Sequence, residues 1–345
     1  MRRLRNIFFC LSILFGLTIL PEKGSGQQID SLLNKIESLY EVLFLRNTDS
    51  TYISGTGSDF TLYAISHYRT NRFSLLDRDL ESGLRYGPKR KIFAGLGTSY
   101  RWFSIDLTFG FNLRRPFATK ESRSFDFMAR FFTARQYLTT GLHYYRAFIP
   151  VEQHGLFPDP LPGLSERPDI RTQNFELQYL YTFNHRRFSI RAPFVMNEIQ
   201  RKSAGSPVAG VHFSLYNIAA DSSLIPASMS SSFDSVLQLR DMNLINFGIN
   251  AGYFYSLVLF RHFFITAGLI PGLVLSSGDY KNTSSDYFML RPNLRLISMN
   301  AVGYNNNKIF TGFHFTASGN RFILEKGKLT MYSQGQISFY FGMRF

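Results

Sequence analysis

The feature that most constrains this chain is an alternation of apolar and polar residues at every second position, running from about residue 58 to the end. In 104–112, Ile105, Leu107, Phe109 and Phe111 fall on one side, and Ser104, Asp106, Thr108, Gly110 and Asn112 on the other. In 174–183, Phe175, Leu177, Tyr179, Tyr181 and Phe183 oppose Asn174, Glu176, Gln178 and Thr182. In 244–258, Ile245, Phe247, Ile249, Ala251, Tyr253, Tyr255 and Leu257 oppose Asn246, Gly248, Asn250, Gly252 and Ser256. The final nine residues repeat the pattern, with Ile337, Phe339, Phe341, Met343 and Phe345 against Ser338, Tyr340, Gly342 and Arg344. A period of two is that of a β-strand. These runs are also longer than the usual ~5–6 residues of soluble strands.

A soluble sandwich alternates as well, so the alternation alone leaves two architectures open. Three features select the membrane one. The apolar face is crowded with Phe, Tyr and Leu, the opposite face is rich in Gly, Asn, Ser and Thr, and the last strand ends on Phe345. Hydrocarbon cannot hydrogen-bond a backbone, so only a closed sheet spans it with strands. The expected fold is an all-β transmembrane antiparallel barrel in the cell outer membrane. The terminal strand with Phe339, Phe341 and Phe345 resembles the aromatic signal by which outer-membrane assembly machinery recognises its clients.

Composition removes the other classes. With 45% hydrophobic residues, 36 Phe and 19 Tyr, the chain has too much apolar surface to stay disordered. A single cysteine rules out a disulfide framework. Residues 1–26 read as a secretory leader: Arg2, Arg3 and Arg5 precede an apolar stretch from Phe8 to Leu20, and Gly24-Ser25-Gly26 follows. Cys10 lies inside the apolar run after Phe8-Phe9, so it is not a lipoprotein cysteine. Cleavage would remove four basic residues, one acidic residue and the only cysteine, taking the net charge from +14 to +11. Thiolate chemistry and cysteine-ligated metals go with it.

Residues 28–46 predict a helix. Ile29, Leu32, Leu33, Ile36, Leu39, Tyr40, Leu43 and Phe44 form one stripe opposite Asp30, Asn34, Lys35 and Glu37. The expected organisation is therefore a leader (1–26), a periplasmic or plug helix with linker (27–57), and the barrel (58–345). Short polar turns are expected on the periplasmic side at Tyr100–Phe103, Asn184–Arg187, Phe260–His262 and Asn305–Lys308, with long segments at 150–170, 217–242 and 276–286 facing outward. Counting 187–198 and 206–216 as two crossings would put 217–242 on the wrong side. One crossing over 187–216, with Gln200–Ser206 folded into the lumen or rim, restores the sides. That gives about 12 strands, with 14 as the alternative.

Several segments resemble a known family. They are Arg167-Pro168-Asp169-Ile170-Arg171, Tyr181 to Ser189, Asn197 to Ser206 and Ala220 to Pro226, with Asp49-Ser50-Thr51-Tyr52-Ile53 and Leu84-Arg85-Tyr86-Gly87-Pro88 nearer the start. The chain is similar over about 49–345 to a Bacteroidetes domain-of-unknown-function family, number 4421, regarded as an outer-membrane barrel. The resemblance implies fold and compartment and carries no activity, substrate or catalytic residue.

Candidate site residues come from the inward side of the alternation. On 187–197, Phe188, Ile190, Ala192, Phe194 and Met196 are expected to face lipid, sending Ser189, Arg191 and Asn197 inward. With Glu176, Gln178, Glu198, Lys202 and His212 these form an expected polar lumen cluster. His212 with Ser214 or Ser203 gives the ingredients of a lipid hydrolase without an identifiable third member. A structural ion-pair network is the plainer reading, because a barrel must fill or hydrate its interior. Gly95-Leu96-Gly97 has no following helix, which excludes a dinucleotide loop. The seven His show no metal-site spacing, and no cofactor is implied.

The positive charge lies at strand ends, in Lys89-Arg90-Lys91, Arg114-Arg115, Arg186-Arg187 and Arg201-Lys202. That placement suits the bilayer and lipopolysaccharide better than nucleic acid. Three functions are carried forward: a structural or transport-like barrel, a lipid hydrolase, and a scaffold whose residues 28–46 dock a periplasmic partner.

Overall fold

The structure is a computed structural model that describes residues 48–345 apart from 58–59, 90–91, 101, 112–123, 153–158 and 283–285. The leader at 1–26 and the helix at 28–46 lie outside the described residues.

Twelve strands close into one antiparallel ring. In order around the wall they are β2 (Phe60–Asp77), β4 (Ile92–Tyr100), β5 (Phe103–Phe111), β6 (Ser124–Phe132), β7 (Gln136–Val151), β8 (Arg167–Thr182), β10 (Ala204–Ala219), β11 (Leu239–Leu259), β12 (Phe263–Asn282), β13 (Asp286–Asn305), β14 (Ile309–Glu325) and β15 (Lys328–Arg344). The last strand pairs back on β2 from Lys328↔Asp77 to Arg344↔Thr61, which leaves no edge. The count of 12 agrees with the parity argument.

The outer surface is what the alternation required. Ile245, Phe247 and Ile249 on β11, Leu269, Leu273 and Leu275 on β12, and Phe339, Phe341 and Met343 on β15 are all exposed, while Asn246, Asn250, Ser276 and Ser338 between them are buried. Aromatic residues gather at the end that carries the short turns: Phe60 packs on Phe345, Trp102 stacks on Phe131, and Phe263 meets Tyr304. An apolar band with an aromatic girdle and short turns on one side is the surface of an outer-membrane barrel, with these turns periplasmic.

The wall is not uniform in height. β4, β5 and β6 have 9 residues each, near the minimum for a tilted crossing, whereas β11 has 21. Above the short strands, β3 (Ser82–Pro88) pairs with β2 on one side and directly with β7 on the other. The ring thus narrows from twelve strands to ten as it leaves the membrane, and barrel diameter falls with strand number. At the changeover β7 carries a bulge between Arg146 and Phe148, with Ala147 held at φ 69°.

Loops close both ends. On the outer side, 220–238 folds into the narrowed mouth and buries Leu224, Ile225, Phe233, Val236 and Leu237 among Phe73, Leu75, Tyr86 and Tyr216. At ~1.5–3 kcal/mol for each large apolar side chain, this lid is a substantial second core. The Tyr86 hydroxyl donates to Leu224 O at 2.6 Å, and Arg167 donates to Ser223 O at 2.8 Å. Of the segments expected to face outward, the described residues 159–166 of 150–170 and 220–238 of 217–242 lie at this end. The 276–286 segment differs, because β12 and β13 continue through most of it as a tall hairpin.

On the periplasmic side the chain leaves the wall after β8 and returns only at Ala204. Between them, 188–200 forms a plug, with one helical turn α1 (Arg191–Phe194) and the short strand β9 (Glu198–Gln200). β9 pairs with β1 (Ile53–Gly55), which precedes the barrel. Two expectations are corrected here. The segment out of the wall runs from 183 to 203 rather than only over Gln200–Ser206, and Ala204–Ser206 already belong to β10. Phe188, Ile190, Ala192, Phe194 and Met196 do not face lipid; all are buried in the lumen with Phe254, Phe310 and Tyr340. Pro193 and the helical turn break the strand, and a compact buried segment can be apolar at alternate positions without being extended.

Gly97 is one glycine the wall requires. A Cβ there would lie 2.1 Å from the Tyr63 ring, in the path by which the Tyr63 hydroxyl reaches Asp106. Gly97→Val should therefore lower the temperature at which the folded, fast-migrating form converts to the unfolded form on a gel. A conservative outward change on the same strand, Ala94→Val, should leave it within a degree or two.

Candidate functional site

The lumen is layered. Between the apolar lid and the largely apolar plug lies a band of inward polar residues, assembled because strands far apart in sequence share a level. Asp126 on β6 is its centre. Its carboxylate accepts from Arg69 Nη1 at 3.1 Å and from the Tyr145 hydroxyl at 2.8 Å, and lies 2.5 Å from His143 Nδ1. His67 Nε2 is 3.7 Å away on the other side and 3.3 Å from the Thr108 hydroxyl. The far nitrogen of His143 is 3.3 Å from Glu176, so this imidazole bridges two carboxylates.

A second pair, Arg130 and Asp106, meets at 2.7 Å, with the Tyr63 hydroxyl donating to the same carboxylate. Arg295 donates to Gln178 at 2.8 Å. Three guanidinium groups are thus set among three carboxylates within the wall, so the layer is close to neutral. A buried ion left without its partner would cost several kcal/mol.

Two cavities interrupt the layer. One, of about 130 Å³, lies over Phe194 of the plug and is lined by Arg69, Arg130, Glu176, Gln178, Arg295 and Gln336 among others. The other, of about 10 Å³, is bordered by Glu176, His212, Asn246, Arg295 and Asn320. Both His212 ring nitrogens, Asn246 Oδ1, Asn320 Oδ1 and Arg295 Nε point into this region without a well-formed protein hydrogen bond.

The expected cluster divides in two. Glu176, Gln178 and His212 belong to the wall layer. Arg191, Asn197 and Glu198 belong to the plug, where Arg191 Nη1 meets Glu198 at 3.1 Å, Arg191 Nε donates to Asn197 at 3.1 Å and the Ser189 hydroxyl donates to Glu198 at 2.6 Å. Lys202 lies apart, exposed at the periplasmic mouth with its ammonium 5.4 Å from the Tyr52 ring centre.

The hydrolase candidates are not brought together. His212 stands opposite Gln178 in the sheet and Ser214 opposite Glu176, and Ser214 accepts from Asn246 at 3.1 Å. Ser203 is at the periplasmic end, accepting from Val258 N at 2.9 Å. A nucleophile must lie within hydrogen-bond reach of its base, and none of these serines does. Sequence reasoning missed Arg69, Asp106, Asp126, Arg130, His143 and Arg295. Each occupies an inward position of its strand, and that was the available signal.

Neutral wall, self-paired plug and apolar exterior together define a plugged outer-membrane β-barrel. The chain belongs to the family described as a domain of unknown function, DUF4421, whose model matches residues 47–345. No curated protein matches the sequence. Among solved structures it is similar to the outer-membrane protease OmpT of Escherichia coli, at 8% identity and TM-score 0.35 over 84% of this chain and 98% of that one. The translocator domain of the autotransporter NalP from Neisseria meningitidis gives 9% identity and TM-score 0.31 over 92% and 96%. The P. putida toluene transporter TodX gives 8% and 0.27 over 83% and 90%.

Asp126→Ala should cost about 3–5 kcal/mol in urea unfolding from lipid, because Arg69 is left buried without its carboxylate. Glu166→Ala, which breaks the exposed 2.7 Å pair with Lys89, should change stability by ~1 kcal/mol or less.

Proposed function

We propose that this chain is a gated outer-membrane transport barrel held shut by its own plug and lid. The observation that carries this reading is the plug's internal charge pair. Arg191 and Glu198 meet each other inside 188–200, while Asp126 with Arg69 and Asp106 with Arg130 meet within the wall. With one arginine and one glutamate between 188 and 200, the plug carries no net charge, so moving it as a unit displaces no net charge from the lumen.

Beside the apolar packing on Phe254, its polar attachments to the wall are hydrogen bonds to plug carbonyls: Asn305 to Ala192 O at 3.2 Å and Glu198 O at 2.9 Å, His314 to Pro193 O at 2.7 Å, and Arg344 to Met196 O. Each such bond contributes about 0.5–1.5 kcal/mol net, or up to ~3 where the donor is charged.

The envelope is proposed to be Gram-negative and of the Bacteroidetes type, following the sequence resemblance. Lipopolysaccharide would face the apolar band on the outer leaflet, and the Phe339, Phe341 and Phe345 strand would serve assembly. A fixed structural barrel is the second reading, favoured by the saturated bonding around Asp126.

The two readings separate on plug accessibility. In a Cys10→Ser background, Phe194→Cys places a thiol on the buried plug face. A gated barrel predicts labelling by a membrane-impermeant maleimide within hours, much faster than global unfolding. Labelling no faster than unfolding would leave the fixed barrel.

A further inference from the structure

Between the plug and the periplasmic rim lies a groove of about 650 Å³ that the lumen chemistry does not use. Arg201 and Lys202 at the end of the plug line one side, and Arg261, His262 and Lys308 on two wall turns line the other. Thr51 and Asn307 add hydroxyl and amide groups, and no carboxylate lines the groove among the described residues. Asp49 stands nearby. Its carboxylate already accepts from the Thr51 amide at 2.9 Å and the Thr51 hydroxyl at 2.7 Å, and these bonds hold it below the usual carboxylate range.

A second observation concerns the backbone. Phe260 and Arg261 adopt φ of 48° and 68°, left-handed values that favour glycine and cost non-glycine residues of order 1–3 kcal/mol. Two successive left-handed residues suit the tight hairpin between β11 and β12, and this turn holds Arg261 at the groove. Four permanent cations gather at one opening, Asp49 offsets part of that charge through Lys202, and the remainder favours an added anion.

We propose that this groove binds a soluble ligand bearing two or more oxyanion groups, phosphate or carboxylate, presented from the periplasm. The size is that of a small-molecule or short-peptide site. The cations come from separate segments, so one ligand would bridge the plug end to the wall turns. Bilayer headgroups sit outside the rim, whereas Thr51, Arg201 and Lys202 lie within it, which favours a soluble ligand over a lipid. The proposal stands on the groove alone and is independent of plug movement.

Calorimetric titration of the full folded chain with inorganic tripolyphosphate and, separately, with a tetraglutamate peptide distinguishes a phosphate from a carboxylate source. At least one probe should bind at one site per chain and weaken as salt is raised. The Arg261→Gln/Lys308→Gln double variant should lose at least about tenfold in affinity, and Arg186→Gln, an exposed cation off the groove, should bind like the parent chain. Lys202→Gln and Lys308→Gln singly, each expected to lose several-fold, serve if the double variant does not fold. Absence of saturable binding by both probes, or equal losses in Arg186→Gln and the groove variants, would overturn the proposal.

Discussion

A backbone amide in hydrocarbon has no water to bond with, and that one constraint sets the rest of this molecule. It demands that every strand have two neighbours, and the pairing of the final strand with the first, from Lys328↔Asp77 to Arg344↔Thr61, is where the demand is met. Closure turns the sheet's second face into an enclosed space. Twelve strands enclose more volume than the wall's side chains fill here, so the chain completes the filling with its own loops. Narrowing from twelve strands to ten above the membrane lets one apolar loop, 220–238, seal the outer mouth. The wider periplasmic mouth takes a separate folded insert, 188–200.

The polar layer follows from the same enclosure. Strand alternation sends every second residue inward, and an inward Arg or Asp at mid-membrane depth can reach neither water nor headgroup. Each must find a counter-charge or a hydrogen-bonding partner at the same level, on an adjacent strand or across the lumen. Asp126, Arg69, His143 and Tyr145 do so across β2, β6 and β7, as do Asp106 and Arg130 across β5 and β6. The layer is thus a condition of folding, and its neutrality is what allows the plug to carry its own pair.

Much of the architecture was legible in the sequence because strand period is a local property. Ile245, Phe247 and Ile249 announce their face without knowledge of any neighbour, and the parity of long and short connections favoured about twelve crossings over fourteen. The plug was half legible. Parity required a segment near 187–216 to leave the wall, but alternate apolar residues from Phe188 to Met196 imitated a strand although Pro193 interrupts them. The Asp126 network was not legible, since its hydrogen-bonded pairs lie 17 to 76 residues apart and meet only once strand register is set. Glu176, Gln178 and His212 were identified as inward, yet their separation from Arg191 and Glu198 depends on the plug forming its own unit.

The central claim is that the chain closes its own barrel at both ends, and electrical conductance of single molecules in planar bilayers tests it most directly. The intact chain should be silent or open only in brief, rare events. A chain in which 189–199 and 223–236 are replaced by short Gly-Ser bridges, and which still shows the heat-dependent mobility shift of a folded barrel, should give stable discrete steps. Stable open steps from the intact chain, or silence from the folded double deletion, would contradict the account.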